Sequence, residues 1–186
     1  MEALAAASEL PVVLYIRNDG YSLAELRRLL GHPGVVGVKY AVPDPLRLAE
    51  RMRQTRDIDV VWVCGLAEAW APAFRATGAR GFTSGLVNVW PQRSLAVRDA
   101  LAAGDFEAAR ELIDMIAPFE AMRTLHGNGA NVTVVKEALA LLGRPVGPVR
   151  PPGTPRLDAA QRAQLAEILG RWGLLTGGQA GRAAAE

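Results

Sequence analysis

Two lysines are the candidates for amine chemistry in a chain whose other strongly basic residues are arginines. Lys39 ends the apolar run 35–38, whereas Lys136 lies beside Glu137 in a stretch with a helical pattern. An amine at the end of an apolar strand loses part of its hydration, which favours the neutral form that adds to a carbonyl carbon. A strand-end lysine can also be a solvated residue that leaves the sheet. The pattern makes Lys39 a candidate nucleophile and Lys136 a surface or packing residue.

Five more residues stand at or just after the ends of apolar runs and could contact a substrate: Tyr15, Arg17, Gly65, Thr83 and Ser84. A tyrosine hydroxyl can relay protons during imine formation, and an arginine offers a fork for a carboxylate. The glycine amide and the two hydroxyls offer hydrogen-bond donors. Structural alternatives stay open: Tyr15 could be a packed strand aromatic, and Arg17 could pair with Asp19 on the surface.

The elements that must position these residues follow from four short apolar runs, at residues 11–16, 35–39, 60–64 and 81–83. The runs start about 20 to 25 residues apart, the length of a strand, a loop and a helix. Because they are continuous rather than alternating, they predict parallel strands that helices bury on both faces. The order βαβαβαβ predicts an α/β fold whose carboxyl strand ends bring the candidate residues to one edge of the sheet.

Capping signals mark where the first helices begin. Ser22, with a glutamate three residues later, predicts a capping box, and Asp44 before a proline predicts a second N-cap. In the helix that follows Asp44, Leu46, Ala49 and Met52 share one face.

Four parallel strands are too few to close a parallel barrel, which has eight strands and about 250 residues. Either the sheet is open, or the chain is the second half of a barrel whose first half is absent. Strand patterns cease near residue 89, and helical patterns follow. We predict βα units of a partial barrel in residues 1–90, C-terminal helices in residues 91–175, and a disordered tail in residues 176–186.

Composition argues against several classes of function. The net charge is only +2 and no basic face is concentrated, so we expect no nucleic-acid partner. The apolar stretch 60–67 is too short to span a bilayer, and residues 1–10 lack the basic start of a signal peptide. Cys64 stands alone and the two histidines lack metal-ligand spacing. These features predict a cytoplasmic protein that binds no membrane, no metal and no cofactor.

Six short motifs occur in order along residues 11–175: Leu14-Tyr15, Gly37-Val38-Lys39, Gly78-Ala79-Arg80-Gly81, Asn88-Val89-Trp90-Pro91, Gly104-Asp105 and Val135-Lys136-Glu137-Ala138-Leu139. Each motif alone is weak. Together they resemble the dihydrodipicolinate synthase/N-acetylneuraminate lyase superfamily of class I, Schiff-base barrels.

The resemblance implies that Lys39 forms an imine with a 2-keto acid and that Tyr15 is the proton-relaying hydroxyl. It implies that the chain corresponds to strands five to eight of a (β/α)8 TIM barrel, followed by a C-terminal helical region. The first four strands, which in the family supply a glycine-rich carboxylate-binding loop and a pair of hydroxyl residues, have no counterpart here. The expected partners are a small-molecule keto acid and either further copies of the chain, in a homo-oligomer, or the missing N-terminal half-barrel.

Within the superfamily, several segments resemble 5-dehydro-4-deoxyglucarate dehydratase. These segments are Tyr15-Ile16-Arg17-Asn18-Asp19, Gly65-Leu66, Thr83-Ser84 and Gly147-Pro148-Val149-Arg150-Pro151-Pro152. Residues 82–88 also resemble synthase-like chains, so a 4-hydroxy-tetrahydrodipicolinate synthase-like pyruvate aldolase is the alternative lyase. An alternative of another class is a truncated, non-catalytic half-barrel that acts only as an assembly subunit.

Overall fold

A parallel sheet organises the first half of the chain in the computed structural model, which describes residues 7, 9–151, 153 and 156–175. Within these ranges the sheet has four strands in the order β1-β2-β3-β4. The strands are Val12–Ile16 (β1), Val35–Tyr40 (β2), Val61–Cys64 (β3) and Gly81–Phe82 (β4). The predicted α/β fold with a parallel sheet is confirmed, and each strand coincides closely with a predicted apolar run.

Helices alternate with the strands and then continue alone. They are α1 (Leu23–Leu30), α2 (Pro45–Gln54), α3 (Ala71–Thr77), α4 (Pro91–Ala103), α5 (Phe106–Arg123), α6 (Leu125–Asn128), α7 (Asn131–Leu141) and α8 (Ala159–Arg171). Short 3₁₀ turns precede α3, at Glu68–Trp70, and α4, at Leu86–Asn88. In the described ranges, no helix combines the length and the hydropathy that a membrane span requires.

Contacts between Cα atoms divide the chain into two units. The first consists of Met1–Ser84 and Val97–Arg110, and it contains the sheet. The second consists of Gly85–Ala96 and Glu111–Glu186. The predicted division at residue 90 stays a prediction, and the predicted tail, residues 176–186, lies outside the described residues.

Only one face of the sheet is buried, which corrects the prediction that helices cover both faces. In β1, Leu14 and Ile16 are buried, whereas Val13 and Tyr15 are 52% and 50% exposed. The buried side chains of the strands pack with buried residues of α1, α2 and α3, namely Leu26, Leu30, Leu48 and Phe74. Side chains in a strand alternate between the faces, so a continuous apolar run supplies apolar groups to both. Such a run cannot reveal that the helices of this chain cover one face alone.

The predicted helix starts are confirmed. Ser22 Oγ accepts a hydrogen bond from the Glu25 amide, and the Glu25 carboxylate accepts one from the Ser22 amide, which completes the capping box. Asp44 accepts a hydrogen bond from the Arg47 amide at the start of α2, with Pro45 in the first turn. These caps satisfy amide groups that have no partner within the helix.

Helix α2 buries only part of the apolar face seen in the sequence, since Met52 packs against the core of the first unit. Leu46 is 81% exposed, whereas Leu48 and Arg51 are buried. Arg51 can be buried because its guanidinium donates to the Asp19 carboxylate and to the Tyr21 carbonyl. A hydrophobic pattern treats arginine as a surface residue, so it does not indicate that Arg51 belongs to the buried side of the helix.

The second unit has its own core. Ile116 and Phe119 of α5, Val134 of α7, and Leu165 and Leu169 of α8 are fully buried in it. These residues recur at helical spacing, so each helix contributes one apolar face to the core of this unit.

An ion pair in the first unit predicts how stability depends on pH. The Arg27 guanidinium donates to both carboxylate oxygens of Asp57, at 2.8 and 2.6 Å. These hydrogen bonds lower the pKa of the Asp57 carboxyl from 3.8 to about 2. A carboxyl whose pKa is lower in the folded state stabilises the fold when it is ionised. Its contribution is therefore complete above a pH of about 4 and is lost as the pH falls toward about 2.

We expect the urea midpoint of the wild-type chain to fall more between about pH 4.5 and about pH 2.5 than that of Asp57→Asn. Asp59→Asn is the control, because Asp59 is exposed and makes no ion pair within the described part of the chain. This control should keep the wild-type dependence on pH. An equal fall of the urea midpoint in the wild type and in Asp57→Asn would contradict the prediction.

Candidate active site

Lys39 belongs to a row of residues that crosses the sheet. Its Cα pairs with Tyr15 of β1 on one side and with Val63 of β3 on the other, and Val63 pairs with Gly81 of β4. Residues in one row of a parallel sheet project to the same face. Lys39 therefore shares with Tyr15 the face that the helices leave uncovered.

The side chains of Lys39 and Tyr15 are in contact. The Lys39 ammonium lies over the Tyr15 ring, 4.3 Å from its centroid. The negative face of an aromatic ring attracts a cation at this distance. Tyr15 is half-exposed and Lys39 is partly buried, so both side chains remain accessible. The structure thus brings together the two residues that the sequence predicts to be catalytic.

Gly65 makes room for the stem of Lys39. A Cβ atom at position 65 would lie 3.1 Å from Lys39 Cγ and 2.8 Å from the Ala41 Cβ, which is too close for any side chain. The Gly65 amide donates to the Tyr40 carbonyl at 2.7 Å. The amide that the sequence predicts as a substrate donor is therefore used within the sheet, and the contribution of Gly65 that the structure shows is space beside the candidate nucleophile.

The Thr83-Ser84 pair follows β4 directly. The Thr83 amide donates to the Cys64 carbonyl at 2.9 Å, which extends the pairing of β3 and β4. The Ser84 hydroxyl donates to the carboxylate of Glu68, a fully buried residue. The Ser84 proton is thus directed at Glu68. Sequence patterns did not single out Glu68, because an isolated glutamate carries no signal that it will be buried.

Arg17 is exposed, and the alternative that it pairs with Asp19 is wrong. The Asp19 carboxylate instead accepts hydrogen bonds from Arg47 at 2.6 Å, from Arg51 at 3.1 Å and from the Tyr40 hydroxyl at 3.4 Å. Burial, together with the nearby Asp19 carboxylate, raises the pKa of the Tyr40 hydroxyl. Asp19 therefore fastens the loop after β1 to β2 and α2, a role that the sequence did not reveal.

Cys64 is part of the core, and Lys136 has the packing role predicted for it. Cys64 is fully buried, and its burial raises the pKa of the thiol to about 11, which keeps it protonated near neutral pH. The Lys136 ammonium, in the second unit, donates to the Pro148 carbonyl at 3.0 Å. Lys39 is thus the lysine with a neighbour suited to proton transfer.

Comparison with known proteins identifies the family of the chain. A model of the Dihydrodipicolinate synthetase family matches residues 1–171. The chain belongs to this family. The resemblance inferred from the six motifs is thereby confirmed.

Two curated relatives of the chain in the dihydrodipicolinate synthetase family are named for different activities. The probable 5-dehydro-4-deoxyglucarate dehydratase of Methylobacterium radiotolerans is 33% identical over 177 residues, which cover 91% of this chain and 57% of the relative. The 4-hydroxy-tetrahydrodipicolinate synthase of Methanoculleus marisnigri is 34% identical over 168 residues, which cover 87% and 55%. Nearly equal identities to a dehydratase and to a synthase do not separate the two activities.

A solved structure of the same family matches the fold. The crystal structure of dihydrodipicolinate synthase from Oceanobacillus iheyensis superposes with a TM-score of 0.85 at 38% identity, over 91% of this chain and 57% of that one. The chain therefore spans about half the length of the relatives it matches.

Proposed function

We propose that this chain is the imine-forming part of a lyase that activates a 2-keto acid on Lys39. The observation that carries the proposal is the contact of the Lys39 ammonium with the Tyr15 ring on the uncovered face of the sheet. A nucleophilic amine and a hydroxyl that can move protons are the two groups that imine formation requires. Membership of the dihydrodipicolinate synthetase family supports this assignment.

The reaction begins when the neutral amine of Lys39 attacks the keto carbon. The carbonyl oxygen leaves as water, with protons delivered through the Tyr15 hydroxyl, and a C=N bond remains. This imine makes the hydrogen on the neighbouring carbon acidic, because the protonated nitrogen accepts the electron pair. Arg17 would hold the substrate carboxylate, and the small residue Gly65 would leave space for the imine beside the Lys39 stem.

For the architecture, we propose that the four strands correspond to strands five to eight of a (β/α)8 barrel. The chain matches 57% of a solved relative with a TM-score of 0.85, which supports this correspondence. The exposed apolar residues Val13 and Val61 on the face with Lys39 fit a surface that other strands cover in a closed barrel. Assembly with an N-terminal half-barrel or with further copies of the chain stays a prediction. The cytoplasmic location also stays a prediction.

For the reaction type, we favour a dehydratase that acts on a sugar-derived keto acid. After imine formation, a proton leaves the neighbouring carbon and a hydroxyl leaves the next one as water, which forms a C=C bond conjugated with the imine. A substrate carboxylate is then lost as carbon dioxide, and the electron pair of the broken C–C bond passes through this double bond to the protonated imine nitrogen. The relative from Methylobacterium radiotolerans supports this choice. The Thr83 hydroxyl and the Ser84 oxygen, whose proton is donated to Glu68, would accept hydrogen bonds from substrate hydroxyls. The alternative is a synthase in which pyruvate forms the imine and its enamine attacks an aldehyde, which the Methanoculleus marisnigri relative supports.

A second candidate function is that of a non-catalytic assembly subunit. It is favoured by the uncovered sheet face and by the match to about half of the length of the relatives. Size-exclusion chromatography together with chemical trapping separates the candidates. An assembly subunit would associate with a partner yet form no adduct with a keto acid.

Borohydride trapping tests the proposed function. The chain is incubated with pyruvate or with a sugar-derived keto acid and borohydride, alone and with the N-terminal half of the Methylobacterium radiotolerans relative. We expect a reduced adduct that peptide mass analysis locates on Lys39. Lys136 is the internal control, because its ammonium donates a hydrogen bond to the Pro148 carbonyl. An adduct on Lys136 alone, or no adduct in either preparation, would contradict the proposal.

A further inference from the structure

A small surface pocket of about 50 Å3 lies in the first unit, between α3, β4 and the last turns of α4. Pockets that enclose drug-sized molecules range from about 300 to 1,000 Å3, so this one suits only a compact ligand that stays partly exposed to solvent. One of its lining residues, Phe82, pairs with Cys64, which in turn pairs with Tyr40. These residues form the row next to the row of Lys39, so the pocket lies on the helix-covered face of the sheet and is separate from the candidate active site.

The turn between α3 and β4 builds one wall of the pocket. Gly78 has a φ of 112° and ends α3 in a left-handed conformation that favours glycine. The Ala79 amide then donates to the Phe74 carbonyl, and the Arg80 amide donates to the Trp62 carbonyl at 2.8 Å. The motif Gly78-Ala79-Arg80-Gly81 thus holds the backbone of Arg80 firmly against β3.

Three arginines line this pocket: Arg75, Arg80 and Arg98. The described residues that line it include no carboxylate side chain. Arg75 and Arg80 make no ion pair within the described ranges of the chain. Arg98 pairs with Asp99, but both side chains are more than half exposed, and exposed pairs of this kind are weak. The pocket therefore carries positive charge that nothing inside it neutralises.

The rest of the lining is apolar and mostly buried. It consists of Ala71, Ala79, Gly81, Phe82 and Leu101, with the exposed Ala102 at the rim. Guanidinium groups bind carboxylates and phosphates by paired hydrogen bonds, and an apolar floor binds a hydrocarbon body. We propose that this pocket binds a small organic oxyanion, a carboxylate or a phosphomonoester, that carries a compact apolar group.

Calorimetric titration of the full chain tests the proposal, with phenyl phosphate and benzoate as probes and with inorganic phosphate and benzyl alcohol as comparisons. We expect saturable binding of at least one of the two aromatic anions. The probe that binds more tightly shows whether the pocket prefers a phosphomonoester or a carboxylate. Inorganic phosphate should bind about tenfold more weakly because it leaves the apolar floor uncovered, and benzyl alcohol should not bind measurably.

Three variants assign the binding to the pocket. The double variant Arg75→Gln/Arg80→Gln should weaken binding of the aromatic anion by about tenfold or more, because charge-assisted hydrogen bonds are lost. Ala102→Phe fills the pocket without a change of charge and should also abolish binding. Arg56→Gln, an exposed arginine outside the pocket, should bind like the wild type. The proposal is overturned if no probe saturates, if inorganic phosphate binds as tightly as phenyl phosphate, or if Arg56→Gln weakens binding as much as the double variant.

Discussion

Replacement of Lys39 by arginine is expected to abolish both imine trapping and turnover in the chain assembled with an N-terminal half-barrel. A guanidinium stays protonated at any pH that the protein tolerates, so it cannot add to a carbonyl carbon. Tyr15→Phe should have a smaller effect, a loss of about 10² to 10⁴-fold in turnover, because water can relay the proton less efficiently than a positioned hydroxyl. The measurement is steady-state turnover of the keto acid together with borohydride labelling.

Lys136→Arg is the matched control for the substitution at Lys39. Lys136 lies in the second unit, and its ammonium donates to the Pro148 carbonyl, a contact that arginine can also make. This variant should keep wild-type labelling and turnover. Full turnover in Lys39→Arg would exclude the Schiff-base mechanism.

Arg51→Met is expected to destabilise the first unit by about 3 kcal/mol, the low end of the range of about 3–5 kcal/mol found when one partner of a buried ion pair is removed. The side chains of Arg51 and Asp19 are 4% and 9% exposed. Methionine would fill the space of the arginine stem but leave the Asp19 carboxylate with fewer donors. Arg47 also donates to the Asp19 carboxylate and would still neutralise part of its charge. The expected loss of stability is therefore at the low end of the range. The free energy of unfolding in urea measures it.

Arg53→Met provides the comparison for Arg51→Met. Arg53 lies in the same helix, two residues away, and its side chain is exposed. The free energy of unfolding should change by no more than about 0.5 kcal/mol, as expected for a surface substitution. If Arg51→Met changed the free energy equally little, the Asp19 network would not hold the loop after β1 to α2.

The sequence by itself determined the elements of this fold and the pairing of the two candidate catalytic residues. The strands followed from the apolar runs and the starts of α1 and α2 from the caps at Ser22 and Asp44, because these signals act over a few neighbouring residues. The contact of Lys39 with Tyr15 was also predictable. Both residues stand at the ends of consecutive parallel strands, and the order of the elements alone brings such ends together.

Only the tertiary structure decided which face of each element is buried and which polar groups are already bonded. Leu46 belongs to the apolar face seen in the sequence yet is exposed, whereas Arg51, which pairs with Asp19, is buried. The Gly65 amide and the Ser84 hydroxyl were predicted as substrate donors, yet they donate to Tyr40 and Glu68. These outcomes depend on hydrogen bonds between residues distant in sequence. A local pattern shows which groups can donate or accept, and only the folded arrangement determines where each finds its partner.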